Sequence, residues 1–279
     1  MSIKIITDST CDLPDDLIEK HEITVLPLYI HIGRRSYLDR IDMNRPDFYN
    51  GLPSFSTHPT TAAPSPAMFS EAYLKAESQG ADEILSIHIS ESLSAVPDVA
   101  RIAAESFSSA AVTVFDSQQL SLGAGYIVLE AAKAAQEGKT VAEILPMLEA
   151  LTRRTYVFAA LDTLEYLKRS GRMHFALATI GSLLQLKPIL KMNQGNPTSE
   201  RIRTREKAIR RLIQLVENVG PLERIDLVHT NAPGQAEGLF YRARHLFPSG
   251  NKPLSVNVTP VLGAHLGPNV IGFACIAKG

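Results

Sequence analysis

The stretch ILSIHISESLSAVPDVARIAAESFSSA, residues 84–110, contains the unit from which the fold is built. It opens with a near-continuous apolar run, Ile84–Ile89, of the kind found in strands buried on both faces of a parallel sheet. A hydroxyl-rich turn, SESLSAVPD, follows, and Asp98–Ala110 then has a helical pattern. The stretch therefore predicts a strand, a turn and a helix, which is the repeating unit of an α/β fold.

The same alternation runs through the rest of the chain. Further apolar runs predict strands at Ile3–Ile6, Ile23–Ile32, Val112–Asp116, Tyr156–Leu161, Arg224–Thr230, Leu254–Val261 and Val270–Ala277. Helical patterns between them predict helices at Pro66–Gly80, Leu122–Gly138, Thr140–Arg154, Thr204–Gly220 and Gln235–His245.

This order predicts an α/β protein of two α/β domains. The N-terminal domain, residues 1–160, is expected to have an open, mostly parallel sheet flanked by helices. The C-terminal domain, residues 161–279, is expected to be a smaller α/β domain with a mixed sheet. The boundary is predicted to fall between residues 151 and 187, and the length of 279 residues agrees with two domains of roughly 150 residues each.

Composition excludes several classes of function. The net charge of −1 gives no electrostatic reason to expect nucleic acid or an anionic membrane as a partner. The two cysteines, Cys11 and Cys275, form no CxxC pair, so neither a zinc site nor a disulfide framework is expected. The N-terminus lacks the apolar run of a signal peptide, and no run is long enough to cross a membrane. We therefore expect a cytoplasmic protein without stable membrane insertion.

Several motifs that carry chemistry in other proteins are incomplete here. Gly138–Thr140 ends like a phosphate-binding loop, but Lys133 stands where its first glycine should be. Gly123–Gly125 lacks the third glycine of a dinucleotide fingerprint, and no GxSxG motif occurs. The eight histidines form no cluster with metal-ligand spacing. We therefore expect neither a cofactor nor a metal.

Hydroxyl-rich turns follow three of the predicted strands. They are TDSTCDLP after Ile3–Ile6, SESLSAVPD after Ile84–Ile89 and DSQQLSLG, which begins at Asp116. In an open parallel sheet such turns share the carboxyl edge, where helix N-termini favour an anion. The alternative is purely structural, because Asp and Ser are also common helix caps and turn residues. That alternative applies to Asp8, Ser9, Asp12, Asp98, Asp116 and Ser117.

A fourth polar segment, HPTTAAPSPAMF at His58–Phe69, is too short for a domain linker. Ser65 has the position of a helix N-cap and Pro66 that of the first helical residue. Thr60 and Thr61 are therefore predicted to lie just outside a helix N-terminus.

Seven segments together resemble the DegV family in order and spacing. They are ITDSTCDLP, TTAAPSPAMF, ISESLSAVPDVARIAAE, VFDSQQLSLGAG, LEYLKRSGRM, LLQLKPIL and GAHLGPNVIG, and they extend over the whole chain. The resemblance implies a two-domain α/β protein that binds a long-chain fatty acid, such as palmitate, in a tunnel at or near the domain interface. It also implies, as a partner for some members, a separate dihydroxyacetone-kinase-like fatty acid kinase that phosphorylates the carboxylate.

The resemblance implies that Thr61, in TAAPS, and Ser94, in LSAVP, hold the carboxylate. Both hydroxyls are present here, but neighbouring positions depart from the family pattern: Ala62, Ala63, Ala95, Val96, Pro97 and Asn269. The lost hydroxyls predict either a sparser network around the head group or a more apolar pocket mouth.

Four further residues are candidates near the ligand. Ala95 belongs to the Ser94 turn, whose backbone N–H groups can donate to a carboxylate. Ser9 ends the first strand, where turn stabilisation is the alternative role. Arg172, in SGR, and His265, in HLGPN, are implied by the resemblance to contact the head group or the partner; the alternatives are a surface arginine and a buried histidine.

Two other patterns allow both a functional and a structural interpretation. The aliphatic segment FALATIGSLL, residues 175–184, suits either a tunnel wall or an ordinary core. The basic run Arg201–Arg211 suits either a solvated helix face or a docking surface.

Three functions are compatible with these observations. The first is a fatty-acid carrier with no chemistry of its own. The second is a hydrolase or transferase acting on a small acyl or anionic substrate, with Ser9 or Ser94 as nucleophile and His265 as base. No acidic residue is obviously placed to orient that histidine. The third is a protein-interaction module whose lipid is structural.

Overall fold

The computed structural model describes residues 2–107, 110–173, 186–249 and 253–279. The strands are Ile3–Asp8 (β1), Thr24–Leu26 (β2), Tyr29–Ile32 (β3), Arg35–Leu38 (β4), Thr60–Ala62 (β5), Glu83–His88 (β6), Ala111–Asp116 (β7), Thr155–Ala160 (β8), Ile189–Asn193 (β9), Asn196–Glu200 (β10), Leu222–His229 (β11), Ser255–Asn257 (β12) and Ile271–Ala277 (β13). The helices are Asp15–Lys20 (α1), Arg45–Gly51 (α2), Pro66–Ser78 (α3), Val96–Glu105 (α4), Ser121–Gln136 (α5), Val141–Arg154 (α6), Glu165–Arg169 (α7), Arg205–Val219 (α8), Pro233–Ala243 (α9) and Pro260–Leu266 (α10).

The first half contains a four-stranded parallel sheet in the order β2–β1–β6–β7, which confirms the predicted parallel sheet. Helices α3 and α4 pack on one face, and α5 packs on the other. The turns after its strands meet at the carboxyl edge. Ile89 N donates to Asp8 Oδ2 at 3.0 Å, and Ser90 N donates to Gln119 O at 2.8 Å. All three hydroxyl-rich turns are therefore neighbours.

The segment Ile23–Ile32 is two strands rather than one. β2 pairs with β1, whereas β3 pairs with β4 and β5 in a separate three-stranded antiparallel sheet. The break coincides with Pro27, which lacks the N–H that a central strand needs. The next residue turns away from the parallel ladder, since Leu28 N donates to Ser9 Oγ at 3.2 Å.

The second half contains a six-stranded mixed sheet in the order β10–β9–β8–β13–β11–β12. Only the β11–β12 pair is parallel among these described strands. Helices α8 and α9 cover one face, and α5 and α6 cover the other. The mixed α/β architecture is therefore confirmed. Because β8 already belongs to this sheet, the change of sheet lies near Thr155, and the division into two domains stays a prediction.

Helix α5 joins the two halves. Leu122 and Tyr126 are buried on it, in a hydrophobic core that also contains Ile6 of the parallel sheet and Val157 of the mixed sheet. The Tyr126 hydroxyl donates to Asp226 Oδ2 at 2.9 Å, on a strand of the second sheet. A single core therefore runs between the two sheets.

The predicted strand Leu254–Val261 is only partly correct. β12 ends at Asn257, and α10 begins at Pro260 with Thr259 as its N-cap. The Thr–Pro pair explains the change, because proline fixes the backbone angle of a first helical turn and threonine caps it.

Candidate ligand-binding site

A cavity of about 290 Å³ lies between the turns of the parallel sheet, the mixed sheet and α10. Most of its wall is aliphatic: Leu28, Ile89, Leu93, Leu120, Val157, Ala159, Leu167, Leu190, Met192, Val261, Leu262 and Leu266. Polar side chains interrupt this wall at Thr10, Thr61, Ser94, Arg172, Lys191, Thr198 and His265. The cavity thus combines an apolar interior with a few polar groups, as small-ligand sites usually do.

Thr61 lies on the short edge strand β5, opposite Ile30 of β3. Because side chains alternate across a strand, Thr61 faces the cavity while Thr60 is exposed to solvent. Its hydroxyl Oγ1 lies 3.0 Å from Nε2 of His265, which is on α10. The segment that follows forms the predicted cap, since Ser65 Oγ accepts a hydrogen bond from Met68 N at 3.3 Å and Pro66 opens α3.

His265 is held in its neutral form. Burial, with smaller effects from Arg172 and His58, lowers its pKa to about 4. Nδ1 is buried and has no hydrogen-bond partner among the residues that the structure describes. The tautomer protonated at Nε2 donates to Thr61 Oγ1 and leaves the Thr61 proton free for a bound acceptor.

Ser94 and Ala95 form the turn between β6 and α4. Both line the cavity, and Ser94 Oγ accepts a hydrogen bond from Val96 N at 3.4 Å. Its own proton is then available to an acceptor in the cavity. Ala62, Ala63 and Ala95 present methyl groups to the same cavity.

Arg172 contributes a positive charge to the wall. It is partly buried after α7, and its Nη1 donates to Ser170 O at 3.2 Å. The other cation in the wall, Lys191, is paired with Glu200 at 3.1 Å. Arg172 is therefore the better placed of the two to meet an anionic group in the cavity.

Ser9 is absent from the described residues that line the cavity, and its neighbour Thr10 lines it instead. The Ser9 hydroxyl accepts the N–H of Leu28 at 3.2 Å. Thr10 is fixed by Asp8, whose Oδ1 accepts its hydroxyl at 2.5 Å and its N–H at 3.0 Å. Ser9 thus stabilises the turn, which is the structural role given above as the alternative to ligand contact.

Several other sequence candidates also have structural roles in their turns and helices. Asp116 Oδ1 accepts N–H groups from Gln118 at 2.8 Å and Glu91 at 3.3 Å. Ser117 Oγ accepts the N–H of Gln119 at 3.2 Å. Burial raises the pKa of both cysteine thiols to about 12, which leaves them unreactive.

The basic run is partly neutralised within the protein. Arg211 is bound to Glu200 at 2.7 Å, and Arg210 lies 3.5 Å from Glu206. Glu206 also accepts Arg242 at 2.8 Å. These pairs agree with a solvated helix face.

His58 lies beside the site without lining the cavity, in a position that sequence reasoning missed. Its ring centre lies 6.0 Å from that of Tyr166, and its charge influences His265. Its Nε2 is buried with no partner in the described part of the chain. The sequence around His58 does not indicate this position, because His58 meets Tyr166 of α7 and His265 of α10 only in the folded chain.

Three other sequence expectations concern the tunnel segment, membrane spans and metal sites. The proposed tunnel segment FALATIGSLL, residues 175–184, lies outside the described residues. Within the described ranges, no helix is long and apolar enough to cross a membrane. The same ranges contain no group of three or more histidine, cysteine, aspartate or glutamate residues that could hold a metal ion.

The fold and the cavity define an α/β protein with a mainly apolar cavity between two sheets. A family model described as an uncharacterised protein of the DegV family matches residues 2–278, so the chain belongs to the DegV family. A DegV domain-containing protein of Streptomyces coelicolor is 35% identical over 99% of both chains.

Solved structures of the family have the same fold. A DegV family protein from Thermus thermophilus, whose structure is described as showing fatty acid binding, has 32% identity and a TM-score of 0.88 over 100% of both chains. DegV from Bacillus subtilis, described as a fatty acid binding protein, has 29% identity and a TM-score of 0.90 over 100% of both chains.

Proposed function

We propose that this protein binds a long-chain fatty acid, with the carboxylate held by Thr61 and Ser94 and the acyl chain in the cavity. The observation that carries the proposal is the wall itself, in which an aliphatic lining is interrupted by the Thr61–His265 pair, Ser94 and Arg172. The relatives from Thermus thermophilus and Bacillus subtilis, described as binding fatty acids, support the same ligand class.

The polar groups suit a carboxylate, which only accepts hydrogen bonds. The hydroxyls of Thr61 and Ser94 each have a proton to donate when their oxygens accept from His265 and Val96. Arg172 adds a positive charge that favours the ionised ligand. The alanines at 62, 63 and 95 offer no side-chain donor, so the head group depends on few hydrogen bonds.

The aliphatic wall provides most of the affinity in this proposal. Each CH₂ removed from water contributes about 0.8 kcal/mol, so a chain of about fifteen offers roughly 12 kcal/mol before ordering costs. A short carboxylic acid would gain the same polar contacts without this contribution. The proposal therefore requires affinity to rise steeply with chain length.

A carrier role is favoured over catalysis. His265 Nδ1 has no carboxylate partner in the described chain, so the histidine lacks the acidic group that orients a catalytic base. Ser9, one of the two nucleophile candidates, is engaged with Leu28 away from the cavity wall. We propose a protein that carries the fatty acid without transforming it.

The partner of such a carrier would be a dihydroxyacetone-kinase-like fatty acid kinase, as the family resemblance implies. Arg172, partly exposed at the cavity wall, would then lie near the transferred group. Affinity capture with the fatty-acid-loaded protein should retain such a kinase. Capture of other proteins, with no kinase among them, would instead favour an interaction module whose lipid is structural.

The ligand itself is tested by solvent extraction and mass spectrometry of the purified protein, followed by calorimetric titration of delipidated protein with palmitate and hexanoate. We expect a co-purified acyl chain, or tight binding of palmitate with much weaker binding of hexanoate. No acyl chain and no binding of supplied palmitate would refute the proposal. An esterase and phosphatase screen on the same sample addresses the enzyme alternative, which requires turnover that His265→Ala abolishes.

A further inference from the structure

Helix α10 forms one wall of the cavity and is held from outside it. The helix supplies Val261, Leu262, His265 and Leu266 to the wall. Its first turn lies at the other end, where Thr259 caps the helix by accepting the N–H of Val261 at 3.4 Å. The position of His265 therefore depends on how this seven-residue helix is anchored.

Two buried carboxylates hold the cap. Asp12 Oδ1 accepts the N–H of Thr259 at 2.8 Å, and Asp39 Oδ2 accepts its hydroxyl. All three residues are fully buried. Asp12 lies in the first hydroxyl-rich turn and Asp39 follows β4, so both reach Thr259 from more than 200 residues earlier in the chain.

The surrounding groups compensate these carboxylates only in part. Arg45 lies 3.2 Å from Asp12 Oδ1, and the Ser121 hydroxyl donates to Asp12 Oδ2 at 2.6 Å. Asp39 Oδ1 is buried with no hydrogen-bond partner among the described residues. Burial raises the pKa of Asp12 to about 6 and also raises that of Asp39.

Such a cluster is a poor source of stability, because burying charge costs free energy that apolar residues of similar volume would not. Its geometry suits a different role. Both polar groups of the α10 cap, the N–H and the O–H of Thr259, are bound by acceptors from the first half of the chain. The first half also carries Thr61, the partner of His265.

We propose that Asp39 is a positioning residue for the ligand site: by binding the hydroxyl of Thr259, whose N–H is held by Asp12, it fixes α10 so that His265 reaches the hydroxyl of Thr61. Neither carboxylate belongs to the lining of the cavity, so both act through the helix. The effect on ligand binding rests on the proposed function. The contact between His265 and Thr61, in contrast, is present without a ligand.

The helix is also positioned by contacts that the test leaves intact. The Tyr49 hydroxyl donates to Val258 O at 2.9 Å, just before the helix, and the Tyr49 ring packs against Gly263 within it. These contacts should keep α10 folded and roughly in place when the cap is altered. The expected change is therefore a displacement of His265 rather than loss of the fold.

The test compares Thr259→Val, which keeps the shape but removes the hydroxyl, with Thr259→Ser, which keeps the hydroxyl. Thr140→Val is the matched control, because Thr140 caps α6 by the same kind of bond, to Glu143 N at 3.3 Å. Two quantities are measured: the ¹⁵N and ¹H resonances of the His265 ring in the delipidated protein, and the Kd for palmitate. The His265 signals are identified by their loss in His265→Gln.

We expect Thr259→Val to shift the His265 ring resonances and to raise the palmitate Kd at least fivefold. Thr259→Ser and Thr140→Val should leave both close to wild type. Unchanged resonances in a folded Thr259→Val protein, or equal effects of Val and Ser, would overturn the proposal. If Thr259→Val does not fold, Asp39→Leu takes its place, since it removes the acceptor together with a buried charge; unchanged His265 resonances there would also overturn it.

The two proposals fail in different ways. A wild-type protein that binds no palmitate refutes the proposed function, whereas the ring resonances still report whether Asp39 and Thr259 position His265. If a variant has shifted His265 resonances but binds palmitate normally, the positioning of His265 does not matter for the ligand, and the proposed function itself is unaffected.

Discussion

The hydroxyl of Thr61 lies 3.0 Å from Nε2 of His265, although 204 residues separate them in the chain. Thr61 comes from an edge strand of the first half, and His265 from a short helix of the second. Because the histidine is neutral, it can donate to the threonine and leave the threonine proton for a ligand. Four expected outcomes follow from this pair and its surroundings.

Removing both candidate hydroxyls should weaken fatty-acid binding. We expect the double variant Thr61→Val, Ser94→Ala to raise the palmitate Kd at least about tenfold, because in the proposed site both removed groups would donate to the carboxylate. Thr60→Val is the control, since Thr60 lies on the same strand but is exposed. Calorimetric titration measures the palmitate Kd of the wild type, the double variant and Thr60→Val. An unaltered Kd in the double variant would contradict the role of Thr61 and Ser94 in holding the carboxylate.

Removing the charge of Arg172 should weaken binding and change the titration of His265. Arg172→Met is expected to raise the palmitate Kd about tenfold at low salt, roughly 1.4 kcal/mol, because the carboxylate of the proposed ligand would lose its nearby cation. The pKa of His265, followed by NMR, should rise, since Arg172 helps to lower it. Arg169→Met provides the comparison, because Arg169 is largely exposed and paired with Glu165. Equal effects of the two variants would rule out a specific role for Arg172.

Acid should destabilise the protein partly through His265. Its pKa is lowered to about 4 in the folded state from an ordinary value near 6.5, so the unfolded chain binds its proton more tightly. The stabilisation is fully present above about pH 6.5 and is lost as the pH falls through 4, by on the order of 3 kcal/mol. His229 acts in the same direction.

Urea unfolding at pH 7, 5.5 and 4.5 measures this dependence. The unfolding free energy of His265→Asn should fall less steeply with acid than that of the wild type, which isolates His265 from His229. Parallel pH profiles for the two proteins would show that His265 is not the group responsible.

Helix α10 should not tolerate a side chain at Gly263. A Cβ there would lie 2.3 Å from the Tyr49 hydroxyl oxygen, so Gly263→Ala must displace a buried ring and is expected to cost about 1–3 kcal/mol. Gly238→Ala on α9 is the matched substitution, because nothing lies within 4 Å of its Cβ. It should be neutral or stabilise by up to about 1 kcal/mol. Thermal and denaturant unfolding measure the change in unfolding free energy for both variants. A Gly263→Ala protein as stable as Gly238→Ala would contradict the prediction.

Much of the local structure could be predicted from the sequence. The apolar runs located most of the strands, and Ser65 caps α3 as its residue type predicts. These features depend on neighbours within a few residues. The same reasoning wrongly predicted a single strand across Pro27, where the structure has β2 and β3. Both halves of that run are apolar, and they differ only in the strands with which they pair.

The site was predictable as a set of residue types but not as an arrangement. The chemistry of hydroxyl-rich turns at strand ends, and the resemblance to the DegV family, directed attention to Thr61, Ser94, Ala95, Arg172 and His265, all of which line the cavity. The sequence could not distinguish Ser9 from Thr10, since adjacent residues of a tight turn point in different directions.

The sequence by itself determined the α/β alternation, the family and the polar residues available for a ligand, because periodicity, capping and turn chemistry are local properties. Only the tertiary structure decided that Thr61 meets His265, that Asp12 and Asp39 hold the cap of α10, and that α5 lies in one core between two sheets. Those contacts join distant segments, and they form only when the packing of both sheets fixes the direction of each side chain.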